Sequence, residues 1–430
     1  MFLDVKYYSF TNSLIKAIAL LLLSIVLLLG KSQVYLTIVH FVILVFLLQF
    51  ILDIGRLVFY KKNKKKRNDL ISSMIFHLGT CIVFLIIPNL VYGLAPMMFS
   101  MYLLLIGMAQ FVMCWVEVIN GEFIRFRHIF IGIVCLIVVL PIFINPVMKL
   151  DRFIICIATY VFLLGSYYLY DSIMLLIPLR AKNRLKRKIR ITLPKIVEAI
   201  IPYSVMVEIN RNLAVKGTRR YSTSKDNRDS DLNILIHTSN RGFNRMGHID
   251  IYFEGKVISY GNYDEGSRYF KELFGDGVLF VANSKAHYIN FCIDNSKKTV
   301  FDFGIVLTEE QKKRVRKRID ELFDNVVKWN HKDDKKYNKG NSYAAKLYKR
   351  TKAKFYKFKK GKYRTYFILG TNCCYLADDI LGKSGMDILS INGIITPGTY
   401  YDYLDRELRV KNSNVISKDV YNFDNRADEK

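Results

Sequence analysis

The spacing of apolar and polar positions changes character near Arg180. Before it, apolar residues run in long unbroken segments; after it they fall into short alternating strings between polar turns. The first half resolves into six candidate membrane spans, approximately 12–30, 34–58, 71–94, 97–119, 129–149 and 153–179. Each approaches or exceeds the roughly 20 apolar residues that a helix needs to cross the hydrocarbon. Pro88 and Pro141 fall inside these spans, which membrane helices tolerate when neighbours satisfy the freed carbonyls. The first segment lacks a basic start and a small-residue cleavage site, so it is expected to be retained as an anchor.

The even-numbered spans end in comparable strings, at 49–55, 110–117 and 168–173, which suggests three helical hairpins. Each string carries one acid: Asp53, Glu117 and Asp171. Acids inside spans are costly and mark polar paths. The same residues near a helix end also read as interfacial charges. Both readings stay open at this stage.

Residues 181–231 divide into a basic amphipathic segment and a flexible polar linker; Pro194 and Pro202 interrupt the former, and a short piece of it is expected to lie on the inner leaflet. A separate domain is expected over 232–410, followed by a polar tail over 411–430. It opens on strand signals at 232–237. Two alternating runs, His248–Phe253 and 256–260, flank Glu254-Gly255 and predict a β-hairpin. Further strands are expected near 277–282, 287–293, 299–305 and 363–369, and helices over 308–329 and from Cys373 to about Leu381 with Gly382 as a stop. The whole is an α-helical six-span membrane domain joined to an α+β soluble domain with a mainly antiparallel sheet.

Composition narrows the class. Apolar residues make up 51% of the 430, too many for a disordered chain. The seven cysteines show neither a disulfide framework nor a zinc-knuckle spacing, so reduced thiols and no metal or other cofactor are expected. The formal charge of +27 is spread over the soluble domain and over loops on one side of the spans: 61–67, Arg125 with Arg127, and 180–190. Basic loops stay cytoplasmic, so both termini and the soluble domain are expected inside a multi-pass cell membrane protein. The stretch 346–367 interleaves bases with aromatics, a pattern that binds either single-stranded nucleic acid or anionic lipid. On a chain already anchored in a membrane the inner-leaflet surface is the simpler partner, and nucleic acid is not expected.

The string at 370–379 sets two adjacent cysteines, Cys373 and Cys374, at a helix start just after Asn372. A thiol near pKa 8.5 is mostly unreactive at neutral pH, but at a helix N-terminus beside an imidazolium the thiolate becomes the favoured form. The strand start Gly247-His248-x-x-Ile251-Tyr252, the glycine turn, the Val257-Ile258 strand and the Asn372-Cys373-x-x-Leu376-Ala377 helix start resemble the permuted branch of the NlpC-like, papain-related cysteine enzymes. That branch includes YiiX-like proteins and the lecithin:retinol acyltransferase type. The segment 396–404 also resembles the proline-containing segment of YiiX-like proteins, and the first 180 residues resemble the HdeD-like six-span family.

The resemblance implies a permuted papain-like fold with Cys373 as nucleophile and His248 as base. Where the acyltransferase type has a second histidine after the turn, this chain has Ser259. The hairpin puts His248 and Asp250 on one face with Ser259 and Gly261. Ser259, Asp250 or nearby Asn262 is therefore a candidate to orient the imidazole. Backbone N–H groups at Asn372, Cys373 and Cys374 are candidates for an oxyanion site. His237, at the end of the preceding strand, reads as a polar strand-end residue. The expected activity is a cysteine hydrolase or acyltransferase acting through a thioester on acyl groups of membrane lipid or lipidated protein. The alternatives are an amide or peptide hydrolase and a non-enzymatic membrane scaffold.

Overall fold

The computed structural model describes residues 2–59, 64–124, 126–145, 150–176, 188–190, 221–225, 227–239, 247–270, 272–333, 342–384, 388–390, 396–409 and 413–422. They form two compact units, Ser13–Cys114 with Arg125–Leu169, and Met1–Asn12 with Trp115–Ile124 and Tyr170–Lys430.

The apolar half of the chain is helical: α1 (Phe2–Phe59), α2 (Lys64–Ile86), α3 (Pro88–Ile119), α4 (Phe126–Ile144) and α5 (Leu150–Leu176). Among the described residues three stretches are long and apolar enough to cross a membrane, Ser13–Leu57, Tyr92–Ile119 and Leu150–Tyr170; Asn68–Phe84 and His128–Ile142 are shorter apolar helices. The backbone leaves the helical region at Lys31 (φ 44°, ψ −133°), between the first two expected spans. Pro88 opens α3 instead of lying inside a span, a position where its missing N–H costs nothing. Pro141 does lie inside α4. Leu29, Phe41, Ile75 and Ile137 stand on outward faces, as a lipid surround allows and water disfavours.

Asp53 is buried in the helical unit. Its carboxylate accepts hydrogen bonds from Ser73 Oγ at 2.7 Å and Arg56 Nη1 at 3.3 Å, and lies 3.1 Å from His77 Nδ1. It is thus a paired acid between α1 and α2 and not an exposed helix-end charge. Glu117 is also buried, whereas the Asp171 side chain falls outside the described residues, as do Arg125 and most of 180–190.

In the other unit the strands β2 (Tyr221–Ser224), β3 (Leu232–Thr238), β4 (His248–Phe253), β5 (Lys256–Gly261), β7 (Val278–Ala282), β8 (Thr299–Ile305), β9 (Val326–Trp329), β10 (Lys354–Phe358) and β13 (Val415–Tyr421) form one antiparallel sheet. Its order is β2-β13-β8-β3-β4-β5-β7-β10-β9. Two small pairs flank it: β6 (Phe274–Asp276) with β11 (Thr365–Phe367), and β1 (Lys188–Arg190) with β12 (Ile388–Ser390).

The β4–β5 turn has positive φ at both Glu254 and Gly255, the two-residue geometry whose twist suits a hairpin. Its register, Ile251 opposite Ile258 and Phe253 opposite Lys256, sets Asp250 against Ser259 as the alternation predicts. β3 lies between β4 and β8 and is buried along its whole length, because both faces are covered. Leu232, Ile234 and Ile236 pack with α7 (Glu309–Asp324), α9 (Cys373–Leu381) and α10 (Pro397–Arg409). Leu235 faces α6 (Lys285–Ser296) and α8 (Tyr343–Thr351).

Five expectations are corrected. The run 287–293 is helix, not strand: Ser284 caps α6 by accepting from the His287 N–H, so Cys292 sits on a helix. The helix expected over 308–329 ends at Asp324 and gives way to β9. Part of the expected linker is β2, and part of the expected tail is β13, which runs inside the sheet between β2 and β8. Within the expected amphipathic segment, Lys188–Arg190 is a strand paired with β12; the rest of 183–212 is outside the described residues.

Candidate active site

Cys373 begins α9, and Asn372 shapes that start. Its Oδ1 accepts from the Tyr375 N–H at 3.0 Å while its Nδ2 donates to the Ile368 carbonyl at 2.9 Å. Asn372 is therefore the helix cap, a reason for Asn directly before the cysteine. The Cys373 and Cys374 N–H groups belong to the first turn, where no intrahelical carbonyl is in reach.

His248 begins β4 directly after Gly247, whose φ is +85°. A side chain there would be strained, and its Cβ would come within 3.1 Å of Pro397 and 3.2 Å of the His237 carbonyl. Along β4, Ile249 and Ile251 point into the layer that contains α9, while Asp250 points to the layer of α6. His248 stands at the strand's first position, where the imidazole reaches the thiol of the opposite layer. The ring and the Cys373 thiol hydrogen-bond, and the Ile249 N–H also donates to the sulfur.

The other side of the imidazole is held by three groups. Nε2 lies 3.0 Å from Ser259 Oγ, 2.9 Å from the Tyr263 hydroxyl and 3.0 Å from Asp250 Oδ1. Ser259 Oγ and the Tyr263 hydroxyl are joined at 2.6 Å. The second carboxylate oxygen of Asp250 accepts from Tyr288 OH at 2.7 Å and meets His237 Nε2 at 2.7 Å. Asp250 is almost wholly buried, so these partners replace the water it has lost.

Burial by itself would raise the Cys373 thiol. A hydrogen bond from Cys374, the charge and hydrogen bond of His248, and the Ile249 N–H outweigh it and hold Cys373 well below the ordinary thiol range. Burial by itself would lower His248, but the Cys373 thiolate and the Asp250 carboxylate carry it up to about 10. The pair is thiolate and imidazolium. Cys374 goes the other way: burial and the neighbouring thiolate push it well above the thiol range. Cys292 is pushed up to about 11 by burial. Of these buried cysteines, the geometry favours ionisation at Cys373.

The structure therefore brings together Cys373, His248, Asp250 and Ser259. It does not bring Asn262 to the imidazole: its Nδ2 donates to the Phe274 carbonyl at 3.0 Å, and it lines the adjoining cavity. His237, read as a strand-end residue, is buried and pushed down to about 3 by burial and by the charge of Lys298, so it is neutral. Tyr263 and Tyr288 carried no motif. The alternation of β3 and β4 was the available signal for His237, which pairs with His248 across the sheet.

His237, His248 and Asp250 each offer an atom within 4.8 Å of one another, a spacing that suits a metal ion. Asp250 Oδ2 is held by Tyr288 and His237, while Oδ1 has the His248 ring beside it at 3.0 Å.

In the basic and aromatic stretch 346–367 most aromatics are buried, with Tyr348 exposed among the bases and Tyr356 half-buried. Lys346, Lys349, Arg350, Lys352, Lys354, Lys359 and Lys360 are exposed, while Phe355, Phe358, Tyr363, Tyr366 and Phe367 are core residues. The buried aromatics offer no stacking platform for bases.

No protein-family profile, curated protein or solved structure matches this chain.

Proposed function

We propose that this protein is a multi-pass membrane cysteine enzyme that moves an acyl group from a membrane lipid or lipidated protein through a thioester on Cys373. The observation that carries the reading is the buried Cys373–His248 ion pair at a helix N-terminus, in a chain whose other unit has helices apolar enough to cross a bilayer. The reading takes six spans, with α1 counted as two segments broken at Lys31 and α2 to α5 as the others; three described stretches have the length and apolarity that support it. The basic loops put the enzyme domain on the cytoplasmic side. A histidine strand preceding the cysteine helix, with that helix packed on the histidine's strand, supports a permuted papain-like arrangement.

In this reading the thiolate attacks the acyl carbonyl carbon, and the first-turn N–H groups of α9 hold the oxyanion. As the intermediate collapses, the bond to the leaving oxygen breaks and the His248 imidazolium gives that oxygen its proton. Neutral His248 then takes a proton from the acceptor, whose attack releases the acyl group and restores thiolate and imidazolium. Water as acceptor makes a hydrolase; a hydroxyl or amine makes an acyltransferase. Asp250 stabilises the imidazolium, and Ser259 with Tyr263 fixes its plane. Lipid is favoured over peptide by Tyr269 and Phe270, two exposed aromatics that follow the cavity residue Arg268 in sequence.

The test is incubation of the purified full-length protein with total membrane lipid and, separately, with peptides, followed by mass spectrometry. Lysolipid that appears with wild type and not with Cys373→Ala supports the reading. Free amine without lysolipid replaces lipid with an amide substrate, and neither product overturns the enzyme.

A further inference from the structure

A cavity of about 250 Å³ opens beside His248, bounded by Asn262, Tyr263, Arg268, Lys298 and Tyr343 among others. Its volume is below the roughly 300–1,000 Å³ of pockets that enclose a whole small molecule, so it suits a head group and not an acyl chain. Four charged side chains line it, and three are engaged within the protein. Arg268 donates Nη1 to Glu272 at 2.7 Å, and its Nε and Nη2 to the Asn262 carbonyl at 3.1 and 2.9 Å. Glu265 accepts from the Tyr343 N–H at 2.9 Å.

Lys298 differs. It is 9% exposed, and among the described residues its ammonium has neither a carboxylate partner nor a hydrogen-bond acceptor. Its ammonium lies over the face of Tyr343, 5.8 Å from the ring centroid. The stem of Lys298 is buried while its ammonium reaches the cavity, so the positive charge faces that space with the Tyr343 ring beside it. Tyr343 in turn stacks on Tyr263 at 5.5 Å, and Tyr263 OH touches the catalytic imidazole at 2.9 Å. The unpaired charge thus sits two rings away from the reacting pair, on the wall of the same cavity.

We propose that this cavity is a phosphodiester subsite in which Lys298 pairs with the phosphate of a glycerophospholipid head group, while the ester carbonyl lies at Cys373. This deepens the lipid reading given above and rests on it. Phosphate supplies an anion for Lys298, and the small volume of the cavity leaves the acyl chains outside it.

The experiment reads protection of Cys373 from iodoacetamide, which needs no turnover. Full-length protein in detergent is alkylated with and without glycerophosphoglycerol, the deacylated head group of phosphatidylglycerol, and with glycerol or inorganic phosphate as comparisons. Alkylation at Cys373 is read by mass spectrometry as a ratio of rates within each variant. The expected result is at least tenfold slowing by glycerophosphoglycerol in wild type, none by glycerol, loss of the slowing in Lys298→Met, and its retention in Lys298→Arg. Equal slowing in wild type and Lys298→Met, or none in either, overturns the subsite. Slowing by inorganic phosphate at lower concentration than by the diester overturns the lipid head group in favour of free phosphate. Protection with no lysolipid in the turnover assay leaves the subsite standing and removes the lipid acyl reading; lysolipid without protection does the reverse.

Discussion

His237 and His248 stand opposite each other on β3 and β4, with ring centroids 5.0 Å apart, and they hold opposite protonation states. Both approach the same carboxylate, Asp250, one on each oxygen. The difference lies in the third neighbour. His248 also faces the Cys373 thiolate, which favours a charged ring, while His237 lies further inside and near the Lys298 charge, which disfavours one. One aspartate therefore serves a neutral and a charged imidazole, and the assignment of base to His248 follows from its place beside the sulfur.

The ionisation of Cys373 sets a pH profile. The thiolate is present well below the ordinary thiol range, and the imidazolium survives to about 10. Catalytic efficiency toward an acyl ester is expected to be flat across neutral pH and to fall as pH rises through about 10, where the general acid loses its proton. Alkylation of Cys373 by iodoacetamide is expected to proceed already at pH 6, whereas Cys292, pushed up to about 11, stays unlabelled there in the folded protein. A rate at Cys373 that rises with an ordinary thiol pKa would remove the ion pair. Cys374→Ser is expected to keep most labelling, and Cys373→Ser to lose it.

Asp250→Asn removes the charge that supports His248 and leaves His237 and Tyr288 facing an amide. The alkaline limb of the profile is expected to move to lower pH. Catalytic efficiency should drop about 10²- to 10⁴-fold, the span seen when a general acid–base group or its orienting carboxylate is lost. Breaking a buried pair of this kind also costs about 3–5 kcal/mol, so the melting temperature is read alongside. A stability loss with an unmoved pH limb would make Asp250 structural only.

His237 gives a second, independent pH signature. Its folded pKa is pushed from 6.5 down to about 3, so below 6.5 the unfolded chain binds a proton that the folded one refuses. That term is fully favourable to folding above 6.5 and is lost as pH falls from 6.5 toward 3. In His237→Phe, the loss of stability between pH 6.5 and 4 is expected to flatten by up to one proton's worth of slope. Denaturant midpoints across that range check it, and an unchanged slope would mean that His237 titrates normally.

The hairpin and the cysteine helix were legible because their signals are local. Alternation around Glu254-Gly255 defines the register, and Asn372 before an apolar run defines a capped helix start. The run 287–293 was not, since a short apolar string suits a buried helix as well as a strand, and the deciding residue, Ser284, lies three positions upstream. Val415–Tyr421 reads as polar because Ser417 and Asp419 alternate with buried Ile416 and Val420, and only its two neighbours in the sheet make it interior. Tyr288 meets Asp250 from 38 residues away on another layer, a contact that no motif spacing encodes.

Membrane side is the prediction that governs which substrates the site can meet. The cytoplasmic reading rests on three basic clusters on one side of the spans, of which 180–190 is directly against the last apolar helix, where the charge rule acts most strongly. Ser222 is exposed on β2, so a cysteine there reports the side of the sheet domain. In Ser222→Cys, a membrane-impermeant maleimide is expected to leave intact cells unlabelled at that position and to label it after permeabilisation. The label is read at position 222 by mass spectrometry, and wild-type protein supplies the background of the native cysteines, reactive Cys373 included. Labelling in intact cells would reverse the orientation and replace inner-leaflet lipid by outer-face substrates. The ion pair would still be reactive there, because its ionisation depends on His248 and Asp250 and not on the side of the membrane.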